Sequence, residues 1–282
     1  MLIQWFPGHM AKTKRLIIEH LKAVDVAAEL LDARIPLSSA NPMVEELLSG
    51  KPRIVILNKA DLADPGMTKA WESYYKRKGV AAVSMSCGNG KDKKKFLRLI
   101  KEAAGPMLEK WKLRGLKTRS ARIMILGIPN VGKSTLINFI SGTAAARTAN
   151  TPGHTRGKQW VRLSQGLDLL DTPGVLWPKF EDQAVGLRLA LIGSIKEEIL
   201  NTTEMAMEFI GFLKKSYSGV LVERYSVDES KENLEILEEI ARIRGCLMKG
   251  NQTDIDKAGR LLLEDFRSLR LGKLSLEVPD AQ

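Results

Sequence analysis

Over residues 1–178, short solid apolar runs alternate with longer amphipathic stretches. The runs I-V-I-L at 54–57 and I-M-I-L at 123–126 lack polar alternation, the pattern of strands buried on both faces of a parallel sheet. Strands are predicted at Val24–Leu31, Arg53–Leu57, Val80–Ser84, Arg122–Leu126, Gln159–Leu163 and Leu167–Asp171. Helices are predicted between them at Met10–Lys22, Pro42–Leu48, Thr68–Lys78, Lys91–Leu113 and Lys133–Ser141. This alternation predicts an α/β, doubly wound domain. The last two strands are separated only by S-Q-G and are predicted to form an antiparallel hairpin. Beyond Trp177-Pro178 the period changes. Val185, Leu189 and Ile192 recur at helical spacing, as do Met205, Phe209, Phe212 and Leu213, then Leu234, Leu237, Ile240 and Ala241, then Leu261, Leu262 and Phe266. Gly219–Leu221 is ambiguous. The division is therefore 1–178 for the α/β domain and 179–282 for a second, smaller, all-helical C-terminal domain.

Composition adds exclusions. Apolar residues make up 44% of the 282 positions and charged residues 27%, which excludes a disordered or low-complexity chain. Two cysteines, Cys87 and Cys246, exclude a disulfide scaffold or multi-cysteine zinc site and fit a reducing compartment. The N-terminal M-L-I-Q-W-F-P-G-H-M lacks the basic region and apolar length of a signal peptide, and no apolar stretch approaches a membrane span. A cytoplasmic protein without membrane partners is expected. The net charge of +11 is uneven: residues 1–178 hold 29 basic and 14 acidic residues, the remainder 15 and 19. The densest stretch, Lys91–Arg122, has 12 basic residues against Asp92, Glu102 and Glu109. Such a run reads either as a solvated helix face or as a phosphate-backbone contact surface.

Three motifs carry chemistry. G-I-P-N-V-G-K-S at 127–134 fits G-x-x-x-x-G-K-[ST], directly after an apolar strand and at the start of a helix. Gly127 and Gly132 let backbone amides approach a phosphate, the helix N-terminus adds partial positive charge, Lys133 can bridge the outer phosphates, and the Ser134 hydroxyl can ligate Mg²⁺. Asn130, Val131 and Thr135 complete the phosphate-binding set. D-T-P-G at 171–174 closes another strand. Asp171 can hold Mg²⁺ through water, and the Gly174 amide can approach a γ-phosphate. N-K-A-D at 58–61 ends a third strand. Asp61 can accept two hydrogen bonds from guanine N1 and N2, Asn58 can reach the base edge, the Lys59 stem can cover its flat face, and Ala60 completes the loop.

Together these motifs resemble the TRAFAC class of GTPases. S-M-S-C-G-N-G at 84–90 is similar to that class's loop beside the guanine, which implies that Ser86 and Cys87 line the base, with Met85 in place of the usual Ala. Thr155, in N-T-P-G-H-T-R, stands where the class's switch threonine closes on Mg²⁺ and the γ-phosphate; Thr151 is the alternative. The order of motifs is unusual, because Asn58–Asp61 precedes the P-loop. A circularly permuted P-loop GTPase sheet accommodates this order and makes D-T-P-G run straight into the helical domain. With Q-W-F-P-G-H-M-A-K at the start, D-A-R-I-P at 32–36, N-P at 41–42, D-T-P-G-V-L-W-P-K-F at 171–180 and R-G-C-L-M at 244–248, the chain resembles the ribosome biogenesis GTPase A family, the YlqF/RbgA type.

That resemblance implies a GTP-hydrolysing factor in a late step of large ribosomal subunit assembly, stimulated by the subunit, with rRNA and ribosomal proteins as partners. It also implies an RNA-binding helical domain, GTP and GDP as substrate and product, and Mg²⁺. A monomer is expected. Many GTPases place a water-orienting Gln after D-T-P-G; here Val175 stands there, so another group must serve. Guided by the resemblance, His9 takes that catalytic role and His154 is the alternative. His20 reads as a helix surface residue. The resemblance further implies that Asn130 helps bind K⁺ between the phosphates. Two other readings stand beside this one, a GTP-dependent RNA-binding chaperone and a signalling switch with protein partners alone. RNA affinity that falls steeply with salt separates the last from the others.

Overall fold

The computed structural model describes residues 15, 18–48, 50–115, 120–143, 159–163, 166–171, 182–195 and 201–280. The chain divides into two compact units. One is helical and runs from Gln183 to Leu274; the other is built on a sheet from the residues up to Asp182 and takes in the chain from Ser275 onwards. The boundary expected at 178/179 therefore has a counterpart at Asp182/Gln183, but 275–280 leave the helical unit, contrary to the sequence reading.

In the sheet unit the described strands are β1 (Val26–Asp32), β2 (Arg53–Asn58), β3 (Ala81–Met85), β4 (Ala121–Gly127), β5 (Gln159–Leu163) and β6 (Leu167–Asp171). Their spatial order is β3-β2-β1-β4-β6-β5. All neighbours are parallel except β5 and β6, the expected hairpin, where Val161 faces Leu169. The solid apolar runs do what continuous hydrophobicity requires. Ala27, Leu31, Val55, Leu57, Met124 and Leu126 fill one face; Val26, Ala28, Leu30, Ile54, Ile56, Ile123 and Ile125 are equally buried with the opposite parity.

The connecting helices are α1 (Pro36–Ser39), α2 (Pro42–Leu47), α3 (Pro65–Arg77), α4 (Gly90–Leu113) and α5 (Lys133–Ser141). The four-residue α1 had no periodic signal. Asp64 caps α3 by accepting from Met67 N (2.8 Å), and Pro65 supplies the first turn. The buried Trp71 and Tyr75 of α3 pack on Leu31, Val55 and Leu57. His20 is buried, at 1% exposure, where a surface residue was expected. Helix α4 packs on β1, β2 and β3, and α5 on β4, β5 and β6.

The helical unit contains α6 (Gln183–Leu191), α7 (Thr202–Ser216), α8 (Val220–Tyr225), α9 (Asn233–Ile243) and α10 (Ile255–Arg267). Met205, Phe209, Ile210 and Leu213 of α7 face Leu262 and Phe266 of α10, and the Phe209 and Phe266 rings lie 4.9 Å apart. Gly259 lets the two helices approach: a Cβ there would lie 3.3 Å from both Ala206 Cβ and the Thr202 carbonyl. Leu237, Ile240 and Ala241 of α9 are buried as the spacing predicts, while Leu234 is 43% exposed and Ile236 is buried in its place. Asn201, Asp254 and a Glu232/Glu235 capping box start α7, α10 and α9. Among the described residues, no helix is long and apolar enough to cross a membrane.

Pro106 sits at an exposed position inside the 24-residue α4, where it removes one backbone donor. Pro106→Ala should raise unfolding stability by about 1–3 kcal/mol in urea titrations.

Candidate functional site

Parallel strands place their C-terminal ends on one edge, where open α/β sheets bind ligands. β1, β2, β3 and β4 deliver D-A-R-I-P, N-K-A-D, S-M-S-C-G-N-G and the glycine-rich loop to that edge. Asp171 ends β6 on the same edge, paired in register with Ile125. His9, Thr155, His154, Thr151, Gly174 and Val175, and the side chain of Asp171, lie outside the described residues.

The loop between β4 and α5 is a cradle defined by close approaches. Gly127 has φ +154°, and a Cβ there would come within 2.6 Å of the Leu30 carbonyl oxygen. Gly132 has φ +99°, and its Cβ would meet Asn58 Nδ2 at 2.6 Å. Asn130 is also left-handed, at φ 58°. Lys133, buried at the first helical position, curls back and donates to the carbonyls of Gly127 (3.0 Å) and Ile128 (2.8 Å). Its ammonium is thus held over the loop, where an anion's outer oxygens would meet it. Ser134 is half-buried in the first turn of α5, in the place a Mg²⁺-ligating hydroxyl requires, and Thr135 is exposed beside it. Helix α5 points its N-terminus into this loop, adding partial positive charge. The arrangement fits a polyphosphate with its divalent cation.

The N-K-A-D loop is tied to the cradle. Asn58 Nδ2 donates to the Val131 carbonyl (2.8 Å), and Asn58 Oδ1 faces Cys87 Sγ at 3.7 Å. The Asn58 amide therefore joins the base-side loop to the phosphate loop, where the sequence suggested a reach toward the base edge. Lys59, left-handed at φ 58°, crosses to donate to the Asn130 carbonyl (2.8 Å). Ala60 N donates to the Met85 carbonyl (3.2 Å) and Asp61 N to Ser86 Oγ (3.1 Å), which brings the 84–90 loop alongside. The Asp61 side chain is exposed, open to a planar base. Burial first, then the charges of Asp61 and Asp92, push the Cys87 thiol up to about 11, so it is a neutral lining group and not a nucleophile.

Two carboxylates of this edge, Asp92 and Asp32, were given no role in the site by the sequence reading. Asp92 Oδ2 accepts from Ser86 N (3.0 Å) and shapes the base-side loop. Asp32, fully buried at the end of β1, accepts from Arg34 Nε (2.9 Å) and Nη2 (2.8 Å) and lies 3.1 Å from Lys59 Nζ. Burial alone would raise its pKa; the Arg34 and Lys59 charges and the Arg34 hydrogen bonds outweigh that and hold the carboxyl below the ordinary carboxylate range. The depressed pKa contributes stability above the unfolded value of about 4, lost as pH falls below it. The signal available was an acidic residue two before an arginine at the end of an apolar strand.

Gly132→Ala should therefore lose at least ~100-fold in nucleotide affinity by isothermal titration, because strain and the Asn58 clash fall on the cradle itself. In acid titrations followed by circular dichroism, wild-type stability should decline as pH falls below about 4, and Asp32→Asn should flatten that decline.

Comparison with known proteins agrees with this geometry. Residues 122–241 match the family described as 50S ribosome-binding GTPase. The ribosome biogenesis GTPase A of Bacillus cereus is 47% identical over 281 residues, 99% of this chain and 95% of that one. The GDP-bound structure of TM YlqF is 28% identical, covers 95% of this chain and 100% of its own, and superposes with a TM-score of 0.72. The GNP-bound YlqF from T. maritima is also 28% identical, covers 96% and 100%, and gives a TM-score of 0.68. The permuted order of the guanine and phosphate motifs on this sheet and the near-complete coverage of such relatives lead to one conclusion: the chain belongs to the ribosome biogenesis GTPase A family.

Proposed function

We propose that this GTPase is an assembly factor for a late step of large ribosomal subunit biogenesis, working in the cytoplasm as a monomer. It binds rRNA and ribosomal protein in its GTP state, and the subunit stimulates hydrolysis. The observation that carries this reading is the presence, on one unit, of an edge that gathers N-K-A-D beside the glycine-rich loop and of an exposed basic row. Lys94, Lys95, Arg98 and Lys101 stand on the solvent face of α4. Such a row favours the phosphate backbone of RNA over a protein-only partner. The names of its relatives point the same way.

In this reading Asp61 selects guanine, the loop amides and Lys133 hold the β- and γ-phosphates, and the Gly174 amide approaches the γ-phosphate. Ser134, Thr155 and, through water, Asp171 would hold Mg²⁺, which neutralises charge on the phosphate oxygens. Asn130 would add K⁺ between the phosphates. Val175 cannot orient water, so His9 positions it for attack on the γ-phosphorus, and the bond to the bridging oxygen of GDP breaks. The helical domain contacts RNA.

The test is GTP turnover in potassium buffer with isolated large subunits, small subunits or neither. Stimulation by large subunits alone is expected. No stimulation, with intact GTP binding, would favour the chaperone or the protein switch. His9→Ala should bind GTP normally and lose most of the stimulated rate; full turnover would remove the assignment. Replacing K⁺ by Na⁺ should slow turnover. Asp61→Asn should lower GTP affinity by at least ~100-fold and recover binding with xanthosine triphosphate, whose 2-oxo group accepts where guanine donates.

A further inference from the structure

D-A-R-I-P has no part in the chemistry above, yet it joins the guanine side of the site to a distant part of the chain. Asp32 fixes Lys59 through its carboxylate, and Lys59 spans from that carboxylate to the Asn130 carbonyl. A lysine stem can lie across a base only if its head is pinned beyond it; here the pins are one carboxylate and one carbonyl. Arg34 completes the pin. Its guanidinium pairs with both carboxylate oxygens, and its own N–H donates to Asp32 Oδ1 (3.1 Å). Arg34 is itself 2% exposed, so neither partner can turn to solvent.

The far side of D-A-R-I-P is held by residues 275–277, which rejoin the sheet unit after the helical one. Leu276 N donates to the Arg34 carbonyl (2.8 Å). The buried Glu277 carboxylate accepts from Leu37 N (2.7 Å), Ser38 N (3.0 Å) and the Ser38 hydroxyl. The Glu277 carbonyl accepts from Trp71 Nε1 (3.3 Å). Ser275 Oγ accepts from the N–H of Asp64, three residues beyond Asp61 (3.1 Å). The returning segment thus grips the guanine side twice, at Asp64 just beyond the motif and, through Arg34 and Asp32, at Lys59 within it.

We propose that Asp32 and Arg34 are positioning residues for guanine recognition, and that the returning segment Ser275–Glu277 completes the site by holding them in place. The segment acts on Lys59 and the Asp61–Asp64 turn. It reaches the β4–α5 loop, where the phosphates rest, only at second hand, through the Lys59–Asn130 bond.

The experiment is stopped-flow release of a fluorescent N-methylanthraniloyl GDP from the full-length protein, with tripolyphosphate binding as the control. Leu276→Pro removes the donor to Arg34, and Glu277→Gln weakens the grip on Leu37 and Ser38. Each should speed release about tenfold, in the range of coupled networks, and leave tripolyphosphate affinity unchanged. In Lys59→Met, which keeps the stem and loses the pinned head, Leu276→Pro should add little. Unchanged release despite a lower melting temperature would overturn the proposal and leave the segment a structural strap. Equal weakening of GDP and tripolyphosphate would overturn it as general loosening. A full additional tenfold in the Lys59→Met background would overturn the route through Lys59.

Discussion

Parallel pairing is the constraint on which the rest of the molecule depends. Once β3, β2, β1, β4 and β6 run the same way, whatever follows each strand emerges on one edge. The order of those segments in the chain then ceases to matter for the site. The guanine loop precedes the phosphate loop by some seventy residues, as the Asn58–Val131 bond records with its separation of 73. Lateral neighbours in the sheet provide what chain order does not.

Within that edge, cations are held by the protein's own acceptors. Lys133 rests on two carbonyls of its own loop, and Lys59 on a third carbonyl and a carboxylate. A buried ammonium is tolerable only with such partners. A nucleotide meets side chains already extended and oriented, so less rotamer freedom is lost on binding. The same logic explains Asp32. One buried carboxylate partners two cations, Arg34 and Lys59.

Much of this was readable from residue order. The I-V-I-L and I-M-I-L runs become the two strands flanking β1, and the S-Q-G hairpin forms as its spacing requires. Gly127 and Gly132 were readable from the glycine-rich motif, and the close approaches to Leu30 and Asn58 add a second reason for glycine there. Other parts left no local trace. Residues 275–277 look like the end of a helical region, since a hydrogen bond to Ser38 across 239 positions produces no periodicity. His20 has a polar side chain but a buried place. The bond from the Asn58 amide to the Val131 carbonyl also left no trace, because only the fold brings that loop near. Sequence pattern reports local geometry and residue chemistry; it is silent on which distant backbone group will be the partner.

The bond between Ser38 and Glu277 also sets an order of events in time. β1 and α1 are made early, but their last partner lies beyond the whole helical unit. Chain closure over so many residues carries an entropic penalty that grows with the logarithm of loop length, and a folded helical unit shortens the effective loop. Contacts of this kind form late and slow folding. During synthesis the sheet can assemble while the guanine side still lacks its final grip. The guanine side therefore receives its last contacts only once residues 275–277, beyond the helical unit, have been synthesised, so its framework is completed after the sheet that carries it.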